Sequence, residues 1–274
     1  THDTKRSEDT RMRINALSEI PGEWRDQITA WAQENQRHKT PLAGVPEPRG
    51  NTEYFIYQTL LGVWPDEGLT AETLEPFAER VWQYLLKSVR EAKIYTNWTA
   101  PNAEYEHAVQ RFIRGILDPR QDDGFLRSFL PFQQRVAFFG KLNSLSATLI
   151  KLASPGVVDI YQGCEDWCYA LVDPDNRRPV DFAGRQRQLD RLRDRPAASA
   201  RPTEPTADLK LLCTWKGLRF RRRHKDLFLQ GEYLPLEVTG LRERNLVAFL
   251  RKRGKDLALV AAGRFFTSWP VGLE

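Results

Sequence analysis

The chain has 274 residues, 41% hydrophobic and 11% aromatic, enough to bury one large core or two modest ones, and this excludes a disordered chain. Its 41 Lys and Arg against 36 Asp and Glu leave a net charge of +5, a mild excess spread along the chain that requires neither nucleic acid nor a membrane as partner. Three cysteines cannot complete a disulfide framework, and Cys164-x3-Cys168 lacks the spacing and the second ligand pair of a zinc site, so a reducing, cytoplasmic compartment fits.

The first periodic segment, 7–38, reads as a helix broken at IPGEW: Ile14, Leu17 and Ile20, then Trp24, Ile28 and Trp31, recur at helical spacing around Pro21-Gly22. TPLAGVPEPRGN (40–51) reads as a Pro/Gly loop. NTEYFIYQTLLGVW (51–64) is apolar on most sides and is expected to be buried, with Pro65 stopping it. Thr70 begins a helix whose stripe is Leu74, Phe77, Val81, Leu85 and Val89. A further helix runs from Asn102 to Leu117, and DPRQDDG (118–124) is a turn cluster.

The run from Phe132 through FQQRVAFFGKLNSLSATLIKLASPG predicts a long apolar helix ended by Ser-Pro-Gly, and VVDIYQG (157–163) a short strand after it, one step of a parallel α/β architecture. RPAASARPTEPTAD (195–208) looks like a connector. LRFRRRHK (218–225) reads as the basic last turn of an amphipathic helix, with a phosphate-binding strip as the alternative. EYLPLEV, NLVAFLRKR and DLALVAAGRFF suggest an antiparallel β module. Eight Trp suit either core packing or stacking on flat ligands such as sugars.

Three stretches in order, THDTKRSEDTRMRINALSEIPGEW (1–24), REAKIYTNWTAPN (90–102) and PGVVDIYQGCEDWCYALVDPDNRRPVDF (155–182), resemble the α-amylase superfamily of glycosidases and transglycosylases. Within it they are similar to the maltooligosyltrehalose synthase family, intramolecular transglycosylases that make trehalose ends on maltodextrins. YFIYQTLLGVWP (54–65) and RRRHKDLFLQGEYLPLEV (221–238) carry the same likeness, so it covers most of the chain.

The resemblance implies an α/β fold, helix-rich overall: the last part of a (β/α)8 barrel with a large helical insertion, followed by an antiparallel β C-terminal domain. On that scheme 1–40 holds the tip of the seventh barrel strand and its following helix, and 41–125 is the insertion. Residues 126–225 hold the eighth strand, DIYQG, with its helices and connecting loop, and 226–274 begin the β domain. Barrel enzymes place their chemistry at the C-terminal ends of strands, which puts the opening THD at an active site.

Retaining glycosidases need an acid and a carboxylate nucleophile about 5–5.5 Å apart, and the superfamily adds a third carboxylate on the −1 sugar. Asp3 matches that third position, with a helix N-cap as its structural alternative, and His2 matches the histidine bonded to the same sugar. The nucleophile and general acid belong to earlier strands and are outside this chain. Glu8 and Asp9 read as helix-start carboxylates facing the macrodipole.

Lys5 and Arg6 match the acceptor side, or form a surface salt bridge. Asp173 and Arg177 match an Asp-x-x-x-Arg that holds the −2 sugar, or make a loop-stabilising ion pair. Lys93, Tyr95 and Trp98 are candidate walls of a closed pocket that keeps the released glucose for transfer, with core packing the equal alternative for the two aromatics.

The resemblance implies a maltooligosaccharide substrate, no cofactor, no metal, no nucleic acid and no membrane, and a trehalose-releasing hydrolase as pathway partner. It also implies that the chain by itself has no turnover. A non-catalytic glucan-binding module and an ordinary maltodextrin hydrolase are the competing functions.

Overall fold

The computed structural model describes residues 4–120, 124–193 and 205–269. Helix α1 (Glu8–Leu17) and helix α2 (Pro21–Glu34) are the two halves expected around IPGEW, and Pro21 sits in the first turn of α2, where its missing N–H costs no hydrogen bond. Residues 40–51 are not simply a loop: β1 (Thr40–Leu42) and β2 (Val45–Glu47) pair antiparallel as a small hairpin. Its two-residue turn places Ala43 at φ 48° and Gly44 at φ 80°, the primed geometry that matches strand twist. An alanine in the first of those positions hid the turn from sequence reading.

Helix α3 (Gly50–Val63) is buried along most of its length, as its composition predicts. Helix α4 (Ala71–Ala92) starts at Thr70, whose side chain accepts from the Thr73 N–H while the Thr73 hydroxyl accepts from the Thr70 N–H at 2.8 Å. Phe77, Val81, Leu85 and Val89 form its buried stripe. Helix α5 (Ala103–Ile116) is capped by Asn102, which accepts from the Tyr105 N–H at 3.1 Å.

Helix α6 (Phe125–Ala153) starts earlier than expected and runs through Pro131. Proline in a helix interior removes one hydrogen bond and favours a break. Here the first two turns are held by aromatic packing: Trp31, fully buried, meets Phe125 at 5.2 Å and Phe129 at 5.7 Å between ring centroids, and its indole N–H donates to Ser128 at 2.9 Å. Full burial of each such ring contributes about 1.5–3 kcal/mol, comparable to or larger than the loss of one helix hydrogen bond. Four of the eight tryptophans, Trp24, Trp31, Trp64 and Trp82, are core residues.

The same long helix packs on α1 at a close crossing. A Cβ on Gly140 would lie 2.6 Å from Arg13 Cγ and 2.7 Å from Arg13 Cα, so only glycine allows the approach. The buried Arg13 then donates to the Trp64 carbonyl at 2.5 Å and to Asp66 at 2.6 Å, tying α1 to the end of α3.

After α6 the run 157–163 forms no strand, and Val157 is fully open to solvent. A β-strand is stable only when paired, and no strand lies beside it among the described residues. Both sheets that do form there are antiparallel, so the expected parallel step has no counterpart among the described residues. Helix α7 (Phe182–Leu192) follows, then α8 (Ala207–Arg223) and the short α9 (Lys225–Gln230). Most of the expected connector at 195–208 lies outside the described residues.

The basic run at the end of α8 has a structural task. Arg221 donates to the Leu152 and Ser154 carbonyls, each at 2.9 Å, and to Gly156, satisfying the open end of α6. The chain ends as expected in an antiparallel sheet, β3 (Glu232–Leu236), β4 (Leu246–Arg253) and β5 (Asp256–Gly263), in that spatial order. One face packs Phe249, Ala258 and Val260 on Ala153, Leu227 and Phe228. From that face the buried Arg251 donates to the carbonyls of Ala153, Phe228 and Gly231, closing α6 and α9 at once.

Candidate functional site at the N-terminal segment and the 161–178 loop

The segment entering α1 is held against the loop that follows α6. Arg6 bridges Leu171, and the Ser7 N–H donates to the Ala170 carbonyl at 2.9 Å. Ser7 occupies the N-cap of α1, yet its hydroxyl does not cap the helix. It accepts from the Ala170 N–H at 3.0 Å and donates to the Cys168 carbonyl, so a residue typical of a helix start is spent on fixing the loop.

Beneath this junction is a charged cluster that sequence reading missed. Asp9 is buried, accepting from the Cys168 N–H at 2.7 Å and from the Lys210 ammonium at 2.7 and 2.8 Å. Lys210, on α8, is fully buried and also donates to the Asp166 carbonyl at 3.1 Å, with Glu8 at 3.3 Å. Lys151 on α6 pairs with Glu8 at 2.8 Å. Burial pushes the Lys210 ammonium down, but the Asp9 and Glu8 carboxylates more than offset it and hold its pKa above the ordinary value. Glu8 and Asp9 are therefore not simply macrodipole partners at the surface; they join three helices and the loop.

Helix α4 supplies the other wall. Arg80 clasps Asp175 with two bonds of 2.8 and 2.9 Å, and Asp175 also accepts from the Leu171 N–H at 2.7 Å. Burial raises the Asp175 carboxyl, but Arg80 and the backbone donor outweigh it and leave its pKa below the usual carboxylate range. Lys87, two turns on, donates to the Asp173 carbonyl at 3.0 Å. The loop is thus fixed by Asp175, Arg80 and Lys87, and of the charged side chains two positions to either side of Asp175 one is half-buried and the other exposed.

Those are the predicted pair. Asp173 and Arg177 meet at 2.5 Å, with Arg177 58% exposed, an ion pair at the solvent-facing edge of the loop. Lys5 pairs with Glu91 on α4 at 2.7 Å in the open, the salt-bridge alternative. Arg6 donates to Thr59 at 3.2 Å and lies over the Phe55 ring, so its side chain is held against α3.

Lys93 ends α4 in the left-handed conformation at φ 58° and is exposed. Trp98 is 54% exposed, with the Arg90 guanidinium 5.0 Å from its ring, and Arg90 is itself clasped by Glu106 at 2.6 and 2.8 Å. Tyr95 packs on Tyr105 at 5.0 Å, its core alternative in part. Lys5, Asp173, Arg177, Lys93 and Trp98 are thereby brought to or around the C-terminal half of α4. His2 and Asp3 lie outside the described residues. The second aspartate of DPDNR was the one readable signal for Asp175; nothing near Lys210 in the sequence marks its partner.

The helical body, the capped antiparallel sheet and the loop anchored between α1 and α4 define a helix-rich architecture with counterparts among solved enzymes. A crystal structure of maltooligosyl trehalose synthase matches 92% of this chain with a TM-score of 0.77 at 36% identity, and the match covers 32% of that chain. The maltooligosyltrehalose synthase of Arthrobacter ramosus matches 97% of this chain with a TM-score of 0.75 at 33% identity, over 31% of its own length. A Mycobacterium tuberculosis protein named maltooligosyl trehalose synthase is 36% identical over 275 aligned positions, which is 100% of this chain and 31% of the relative. No family model matches the chain. The chain is homologous along its whole length to the maltooligosyl trehalose synthases and spans about a third of the length of the curated relatives it matches.

Proposed function

We propose that this chain is the C-terminal part of an intramolecular transglycosylase that converts the reducing-end α-1,4 link of a maltooligosaccharide into an α,α-1,1 link by a retaining double displacement. The observation that carries the reading is the likeness over the full length of the chain to synthases of that name, joined to the way the Lys5–Ser7 segment lies along the loop that bears Asp173 and Arg177.

In this reading Asp3 is the carboxylate that bonds the −1 sugar and assists its distortion, with His2 beside it. Asp173 and Arg177 hold the −2 sugar: the carboxylate accepts from vicinal hydroxyls and the guanidinium keeps it in place. The exposed Arg177, paired with a half-buried Asp173 in an otherwise anchored loop, suits that task. Lys5 and Arg6 face the acceptor side, while Lys93, Tyr95 and Trp98 wall the place where released glucose turns before its anomeric hydroxyl attacks. A half-exposed indole suits a sugar face. The nucleophile and general acid come from barrel strands outside these residues, so the chain alone leaves maltopentaose unchanged. The enzyme is cytoplasmic, and a trehalose-releasing hydrolase consumes its product.

The test is Arg177→Ala in the full-length protein. An exposed ion pair contributes at most about 1 kcal/mol to stability, so thermal stability stays nearly unchanged. Loss of a sugar contact raises KM for maltopentaose by about tenfold or more. Unaltered kinetics would remove the −2 assignment. Formation of trehalose-ended product by the isolated chain would remove the division of the active site.

A further inference from the structure

Glu106 on α5 is buried, and its carboxylate accepts from Arg90 Nε at 2.8 Å, from Arg90 Nη2 at 2.6 Å and from the Thr96 hydroxyl at 2.6 Å. Two parallel bonds fix the plane of a guanidinium as a single bond cannot. The guanidinium so held lies over the Trp98 ring, 5.0 Å from its centroid, within the roughly 6 Å at which a cation is attracted to an aromatic face.

The turn that carries the indole is pinned on both sides of it. Before it, the Thr96 hydroxyl also accepts from the Asn102 N–H at 3.0 Å. After it, the Asn97 side chain accepts from the Thr99 N–H at 3.0 Å and the Ala100 N–H at 2.7 Å. Trp98 nevertheless keeps more than half of its surface open. An indole fixed before anything binds loses little freedom when a ligand stacks on it. Stability alone does not call for this arrangement, since apolar residues of similar volume often serve as well as a buried ion pair. What Glu106 and Arg90 add is direction. Glu91, beside Arg90 on the last turn of α4, pairs with Lys5 at 2.7 Å, so the same turn ties the indole to the N-terminal segment.

We infer that Arg90 and Glu106 are positioning residues for Trp98, holding the indole so that its open side stacks on the glucose kept for transfer. The inference rests on the wall assignment proposed above for Trp98. Glu106 orients Arg90, and Arg90 orients the ring. What they govern is a partition. In both branches the bond between the nucleophile carboxylate and the glycosyl carbon breaks, and the carboxylate takes the electron pair. In transfer, the anomeric oxygen of the retained glucose forms the new bond and its proton passes to the general base. In hydrolysis, a water oxygen forms that bond, its proton takes the same path, and the glucose leaves free. A displaced indole admits water and moves turnovers to the second branch.

The ratio of free glucose to trehalose-ended product, formed from maltopentaose by the full-length protein, tests it. A ratio per turnover does not move when part of a sample is merely unfolded. Trp98→Ala should raise it about tenfold. Arg90→Lys, which keeps the charge but not the planar fork, and Glu106→Gln should each raise it about two- to fivefold. Arg90→Lys combined with Trp98→Ala should give the ratio of Trp98→Ala alone, because the cation acts only through the ring. A raised ratio in Trp98→Ala with parental ratios in Arg90→Lys and Glu106→Gln overturns the inference and leaves the wall assignment standing. Multiplying effects in the double variant do the same. A parental ratio in Trp98→Ala removes the wall assignment and the inference together, and a parent that makes no trehalose-ended product removes the proposed function with them. If circular dichroism shows that Glu106→Gln does not fold, Arg90→Lys and the double variant decide by the same outcomes.

Discussion

Lys210 and Asp9 are 201 positions apart in the chain and meet at 2.7 Å with both side chains buried. The contact joins α8 to α1, and through the Cys168 N–H it also fixes the loop that carries the candidate sugar residues. A surface pair could be lost at little cost, but a buried one leaves its partner charged and unmet.

Replacing one member of this pair is therefore expected to be severe. Lys210→Met should cost about 3–5 kcal/mol, because Asp9 is left buried without its cation. Adding Asp9→Leu to that variant should recover a good part of the loss, since an apolar pair of similar volume pays no desolvation. Urea unfolding of the two variants measures both numbers. A double variant no more stable than the single one would mean that the loss comes from packing and not from the stranded charge.

Asp175 makes the loop acid-sensitive. Its folded pKa lies below the ordinary value, chiefly because Arg80 and the Leu171 N–H outweigh its burial. A depressed carboxylate contributes stability that is complete above the unfolded value, about 3.9, and is lost as pH falls below it through the folded value. The stability gap between the parent chain and Asp175→Asn should accordingly be widest near neutrality and close as pH falls from about 5 towards 2. A gap that stays constant over that range would count against a charged Asp175 as the anchor.

Two thiols at the same junction give a second pH dependence. The Cys164 thiol donates to the Cys168 sulfur, and that hydrogen bond pulls Cys168 down to about 7 while Cys164 is pushed up. Thiolate is the reactive form, so alkylation of Cys168 by iodoacetamide should rise with an inflection near pH 7. In Cys164→Ala the donor is gone, and the inflection should move up towards the ordinary thiol value of about 8.5. Mass-spectrometric rates across pH 6–9 read this directly; the same inflection in both proteins would rule out the Cys164 hydrogen bond as its cause.

Much of the helical body was legible. Pro21 at a helix start, Thr70 and Asn102 as caps and the stripe from Phe77 to Val89 are local signals, and each element formed where they pointed. The hairpin at 40–47 was not legible, as Ala43 carries a positive φ that sequence reading reserves for Gly or Asn. The start of α6 was placed at Phe132, whereas the helix begins at Phe125, its first turns held by Phe125 and Phe129, buried in the Trp31 cluster. Of the candidate site, the Asp173–Arg177 ion pair could be read from its i,i+4 spacing and its sugar role only from the family resemblance, but the anchors Asp175–Arg80 and Asp9–Lys210 could not be read at all.

The division follows from where hydrogen bonds and charges find their partners. Helix backbone groups are satisfied within four residues, so composition, caps and periodicity determined most of the helical body, α1 to α5, and the alternating β4 and β5 by themselves. Whether DIYQG becomes a strand, whether Asp9 faces water or an ammonium, and which charges of the 173–178 loop are anchored or open depend on groups tens to hundreds of positions away. Only the tertiary structure decided those: DIYQG found no neighbouring strand among the described residues, and Asp9 met Lys210.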